Sequence, residues 1–144
     1  MLLFLSRSTT DDIDIVQFSS NFISESTNVT AMGWGDTHED WDIVDKPDEL
    51  IEVGVTVISN EECDASESNE YGWKYDYHNQ ITENMICARD QGEDACQRDS
   101  GGPLVIHLDS GDIQIGVVSW GIGCAHRDFP GVYARVSAQF NTSG

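Results

Sequence analysis

Three features of this 144-residue chain predict an all-β fold. The apolar runs are short and rich in Val and Ile, clusters of turn-forming residues separate them, and the composition suits a folded core. Hydrophobic residues make up 39% and charged residues 23%, the balance of a globular chain rather than a disordered one.

The strands are placed as follows. Residues 1–5 (Met-Leu-Leu-Phe-Leu) form an unbroken apolar run, and 28–34 follow with Val29 and Ala31 two apart. In 49–58, Val53, Val55 and Val57 recur at every second position, the period of a strand. Shorter runs at 84–88, 113–120 and 131–135 carry further Ile and Val. The run 103–108 opens on Pro103, which a strand accepts where its ladder has only begun. The acidic stretches 36–48 and 64–79 are expected to be exposed loops, the second with a helical turn near 61–66. There is no internal repeat and no low-complexity tract.

With 26 acidic against 7 basic residues, the formal net charge is −19. That argues against nucleic acid or an anionic membrane as partner, both of which require positive surface. The acidity instead suits a solvated surface and would attract basic peptides. No stretch reads as a membrane span. A calcium loop is also disfavoured, because Asp90-Gln91-Gly92-Glu93-Asp94 lacks the ligand spacing, so no metal and no cofactor is expected.

Cys63, Cys87, Cys96 and Cys124 show neither zinc spacing nor a redox C-x-x-C, so they read as two disulfides with three connectivities open. Pairing in chain order would close two moderate loops, each contributing about 2–4 kcal/mol. Disulfides imply an oxidising compartment and a secreted, extracellular protein. The apolar run 1–5 is shorter than a signal-peptide core and acidic residues soon follow, so a signal peptide is expected in sequence missing upstream of this chain. Two sequons, Asn28-Val29-Thr30 and Asn141-Thr142-Ser143, permit glycosylation.

The chemistry concentrates at Ser100, set between Asp99 and the pair Gly101-Gly102 on what reads as a tight, exposed turn. A serine becomes a useful nucleophile only with a base, a group orienting that base, and amides holding the oxyanion. The elbow of an α/β-hydrolase requires Gly-x-Ser-x-Gly, whereas Arg98 occupies the first position here.

The segment Asp94-Ala95-Cys96-Gln97-Arg98-Asp99-Ser100-Gly101-Gly102-Pro103-Leu104 resembles the serine segment of the chymotrypsin/trypsin family (peptidase S1). The likeness continues through Gly116-Val117-Val118-Ser119-Trp120-Gly121-Ile122-Gly123-Cys124 and Phe129-Pro130-Gly131-Val132-Tyr133-Ala134-Arg135-Val136-Ser137. It reaches back through Ala31-Met32-Gly33-Trp34-Gly35, Val53-Gly54-Val55-Thr56-Val57-Ile58 and Met85-Ile86-Cys87-Ala88.

The resemblance implies the second six-stranded antiparallel β-barrel of a double barrel. Residues 1–27 would be the last strand of the first barrel and the linker, and residues 28–144 the second barrel with its terminal helix cut short. It implies Cys63–Cys87 and Cys96–Cys124 disulfides, Ser100 as nucleophile, and the amides of Arg98 and Ser100 as oxyanion hole. Asp94 would sit at the base of a pocket for substrate Lys or Arg, with Gly121 and Gly131 as its walls. Gln97, Ser119 and Trp120 would also contact the substrate, a protein or peptide cleaved after Lys or Arg. Trp34 and Trp120 read as packing residues, Trp120 also lining the cleft. Asp99 would be the acid that pairs with the new amino terminus after zymogen cleavage.

Two departures accompany these matches. Arg98 stands where the family has glycine, restricting the backbone that turns its amide inward. The segments that carry the family's catalytic His and Asp have no counterpart here, and His38, His78, His107 and His126 all stand in other contexts, as surface or loop histidines. The chain alone is therefore expected to be inactive without the first barrel, the alternative being a non-catalytic homologue that binds peptides or partners.

Overall fold

Alternation of apolar and polar residues dictates the first structural fact: in the strand Ile51–Ile58, Val55 and Val57 are buried while Thr56 between them is not. The computed structural model describes residues 16–35, 47–70, 73–89, 99–122 and 128–140. In chain order the elements are β1 (Gln17–Phe18), β2 (Asn28–Gly33), β3 (Ile51–Ile58), α1 (Asn60–Asp64), β4 (Glu67–Glu70), β5 (Trp73–Asp76), β6 (Met85–Arg89), β7 (Pro103–Ile106), β8 (Ile113–Trp120), β9 (Gly131–Arg135) and α2 (Val136–Phe140).

Six strands close on themselves. β2 pairs with β3, β3 with β6, β6 with β9, β9 with β8, β8 with β7 and β7 with β2, every pair antiparallel. Closure removes the free edges that an open sheet would expose. β1 is an extra strand, laid parallel on β8 through Gln17 opposite Ile113 and Phe18 opposite Gln114. The barrel interior is filled by Val29, Ala31, Val55, Val57, Ile86, Ala88, Leu104, Ile115 and Tyr133. A second cluster of Cys63, Tyr77, Cys87, Phe129 and Val132 lies beside it.

Six of the seven expected strands are present, with ends shifted by at most two residues; the seventh, at 1–5, lies outside the described residues. The stretch 64–79 departs from a plain loop. After α1, whose Ser59 cap accepts from the Glu62 amide, it folds into the β4–β5 hairpin, with Ser68 opposite Tyr75 and Asn69 opposite Lys74. Lys74 bridging to Glu67 at 3.0 Å supports this polar hairpin, for which no apolar alternation exists. Trp34 is also a correction, since it stands 59% exposed rather than packed.

The Cys63–Cys87 disulfide is formed, joining the end of α1 to β6. Cys96 and Cys124 lie outside the described residues. Arg135 fastens the far side of the barrel: its Nε donates to the carbonyls of Glu83 and Met85, both at 3.0 Å, and the Phe22 ring covers the guanidinium at 4.6 Å. Burial holds the pKa of this guanidinium below its ordinary value.

Candidate active site

Ser100 sits in a reverse turn closed by the Gly102 amide donating to the Asp99 carbonyl at 2.7 Å. Gly101, the third residue of the turn, has φ of 91°, a region open to glycine and strained for other residues. The turn is tied to β8 from both sides. The Gly101 amide donates to the Val118 carbonyl, and the Val118 amide donates to the Gly102 carbonyl, each at 2.9 Å. Ser100 itself is exposed.

Asp99 points the other way. Its Oδ1 accepts from the Gly35 amide at 2.7 Å. A Cβ built on Gly33 would lie 1.9 Å from that oxygen, and one on Gly35 would lie 2.5 Å from the same carboxylate. Gly33-Trp34-Gly35 is thus a cradle whose missing side chains make room for Asp99, and seating Asp99 turns Ser100 outward.

Next along β8 the ladder with β9 slips, pairing Val118 with Tyr133 and then Trp120 with Val132. Ser119 is the residue left out of this bulge, and it is exposed. A bulge at this point frees backbone that would otherwise be held within the sheet. Beyond Trp120, Gly121 faces Gly131: a Cβ on Gly121 would lie 3.9 Å from the Gly131 Cα and 3.8 Å from the Tyr77 hydroxyl. The two glycines put no side chain into the space beside them.

Tyr77 ties together the segments that carry these two glycines, a role with no counterpart among the sequence-based expectations. Fully buried, it donates to the Pro130 carbonyl at 3.2 Å and accepts from the Ile122 amide at 2.9 Å. Its ring packs edge-on to Trp120 and tilted against Phe129, centroids 4.9 Å away in each case. One phenol therefore joins the segment after β8 to the segment before β9. Those partners are 45 and 53 residues away in sequence, so no local pattern could have signalled the role. The glycine cradle was visible as the Gly33-Trp34-Gly35 match, though without its partner Asp99.

Asp94, Gln97 and Arg98 lie outside the described residues. The fold bonds the turn of Asp99 and Ser100 to β8 at Val118, next to Ser119 and Trp120, and sets Gly121 against Gly131. His78 and His107 are exposed and engaged locally, His78 with Glu67 at 3.2 Å and His107 with Asp112 at 2.7 Å, the setting expected of surface histidines. Among the described residues no group of three His, Cys, Asp or Glu side chains could hold a metal ion, and no helix is long and apolar enough to cross a membrane.

Comparison with known proteins gives this geometry a family. The family model named Trypsin matches residues 1–142. The chain is 45% identical over 113 residues to hypodermin-B of Hypoderma lineatum, covering 78% of this chain and 39% of that protein. It is 40% identical over 126 residues to trypsin delta of Drosophila melanogaster, covering 88% and 45% respectively. Among solved structures, neuropsin, a serine protease expressed in the limbic system of mouse brain, matches with a TM-score of 0.75 at 28% identity, over 93% of this chain and 54% of that one. The chain thus spans about half or less of the length of these relatives.

Proposed function

The chain belongs to the trypsin family of serine proteases, and on that premise we propose that it carries the nucleophile and specificity pocket of an endopeptidase cleaving after Lys or Arg. Ser100 is the nucleophile, and its amide with that of Arg98 forms the oxyanion hole. Asp94 pairs with the basic side chain of the substrate entering between Gly121 and Gly131, while Gln97, Ser119 and Trp120 contact the rest of the peptide. Asp99 is the acid that receives the amino terminus formed on activation. The general base and its orienting acid come from the rest of the first barrel, outside these 144 residues. Residues 1–27 are the end of that barrel and the linker, and 28–144 the second barrel. The protein acts outside the cell.

The observation that carries this reading is the serine turn itself: Asp99 seated on the Gly35 amide, Ser100 exposed, and the turn bonded to β8 two residues before Trp120. Hydrolysis of Arg and Lys esters by the complete gene product tests it. Ser100→Ala should remove activity by about six orders of magnitude, as loss of a triad nucleophile does. Asp94→Ser should lower kcat/KM for basic substrates far more than for apolar ones. The 144-residue chain by itself should neither turn over the ester nor take up an organophosphonate at Ser100; stoichiometric labelling would contradict the need for a base from outside.

Arg98 favours a second reading, a non-catalytic homologue that binds basic peptides through Asp94, because a side chain there opposes the backbone turn that an oxyanion amide requires. Arg98→Gly separates the two: a large rise in turnover marks a crippled enzyme, and unchanged absence of turnover with retained peptide binding marks the homologue.

A further inference from the structure

We propose that Asn28 is a site of N-linked glycosylation. The triplet Asn28-Val29-Thr30 meets the chemical requirement, an asparagine amide with a hydroxyl two residues on and no proline between them. The fold then leaves this residue exposed. β2 alternates outward and inward, with Asn28 exposed at its first position and Val29 and Ala31 buried in the barrel. The Asn28 Oδ1 accepts from the Thr56 hydroxyl across the strand pair at 3.2 Å, an exposed contact made by the oxygen and not by Nδ2, the atom that would carry the sugar.

The position also avoids the serine turn. Gly33, at the other end of β2, lies against Asp99 and stands five positions along the strand from Asn28, about 16 Å at the rise of a β-strand. A glycan at Asn28 therefore covers the outer face of β2 and β3 at the end of the strand remote from Ser100. In the transfer, Nδ2 attacks C1 of an oligosaccharide carried on a lipid pyrophosphate. An N–C bond forms, the C–O bond to pyrophosphate breaks, the lipid pyrophosphate departs, and the amide gives up one proton to the transferase.

This rests on the reading of the protein as secreted, since the transferase works only in the oxidising compartment of the export route. The test is the gene product expressed from its own coding sequence in cultured insect cells. Tryptic digestion separates the two sequons, Asn28 falling in the peptide between Arg7 and Lys74, since Lys46 precedes Pro47, and Asn141 after Arg135. Peptide N-glycosidase treatment in heavy-oxygen water should convert Asn28 to labelled aspartate, and the gel shift on deglycosylation should disappear in Asn28→Gln and survive in Thr30→Ser. Ester hydrolysis should be unchanged in Asn28→Gln. Protein recovered from the medium with an unmodified Asn28 peptide overturns the proposal, as does a shift that persists in Asn28→Gln and is lost only in Asn141→Gln. Protein retained in the cytosol instead overturns the secreted reading, and the proposal with it.

Discussion

Tyr77 shows how much one buried polar atom can control. Its hydroxyl serves two backbone groups next to Gly131 and Gly121, the Pro130 carbonyl and the Ile122 amide. Phenylalanine would keep the ring contacts with Trp120 and Phe129 but leave the backbone partners without the hydroxyl, a loss of about 1–3 kcal/mol for buried groups. Tyr77→Phe should lower the denaturant midpoint accordingly and weaken binding of a small amidinium such as benzamidine, because the walls around Gly121 and Gly131 lose their tie; unchanged amidinium affinity would show that these walls are held otherwise. The serine turn is as sensitive. Gly101→Ala forces a side chain into φ of 91°, costing about 1–3 kcal/mol, yet a Cβ there meets nothing within 4 Å. Gly35→Ala instead drives a methyl into the Asp99 carboxylate. Both should destabilise, but only Gly35→Ala should displace Asp99, and a crystal structure of each variant distinguishes strain from displacement.

At the scale of elements, the stretch after α1 is held by a carboxylate. Asp64 accepts from the amides of Asn79, Gln80 and Ile81 at 3.0 to 3.1 Å, and these backbone donors keep its pKa below the ordinary 3.8. A carboxyl whose folded pKa is depressed stabilises the fold above the unfolded pKa and loses that contribution as pH falls through the folded one. Asp64→Asn should therefore lower the melting temperature at pH 7, and the gap from wild type should narrow as pH drops below about 4; a gap independent of pH would place the effect elsewhere. This element also marks where sequence reading stops. Val53, Val55 and Val57 announced β3 because burial on one face imposes a period of two. Glu67, Ser68 and Asn69 have no apolar alternation, and the β4–β5 hairpin they begin is held by pairing and by Lys74–Glu67, which composition does not encode. The family was legible because the resemblance runs through contiguous residues around Ser100. The Asp99 cradle and the Tyr77 tie were not, because their partners meet only once the barrel has closed.

For the molecule as a whole, the question is what the outer face beyond the barrel requires. Val16 and Phe18 stand 41% and 58% exposed in and beside β1, and a groove of about 930 Å³ lined in part by Val16, Met32, Gly101, Pro103 and Ile113 runs from there to the serine turn. On the proposed reading, the first barrel covers this face. Full burial of a Phe side chain contributes about 1.5–3 kcal/mol, so the same substitution should act with opposite signs in two contexts. Phe18→Ser should increase the monomer fraction of the 144-residue chain, which alone should be marginal and prone to aggregate, and should lower the melting temperature of the complete gene product. Sedimentation of the isolated chain and thermal melts of the complete one read the two effects. If the isolated wild-type chain were a soluble monomer with a sharp cooperative melt, or if Phe18→Ser left the complete protein's melt unchanged, that face would not be the seat of a second barrel.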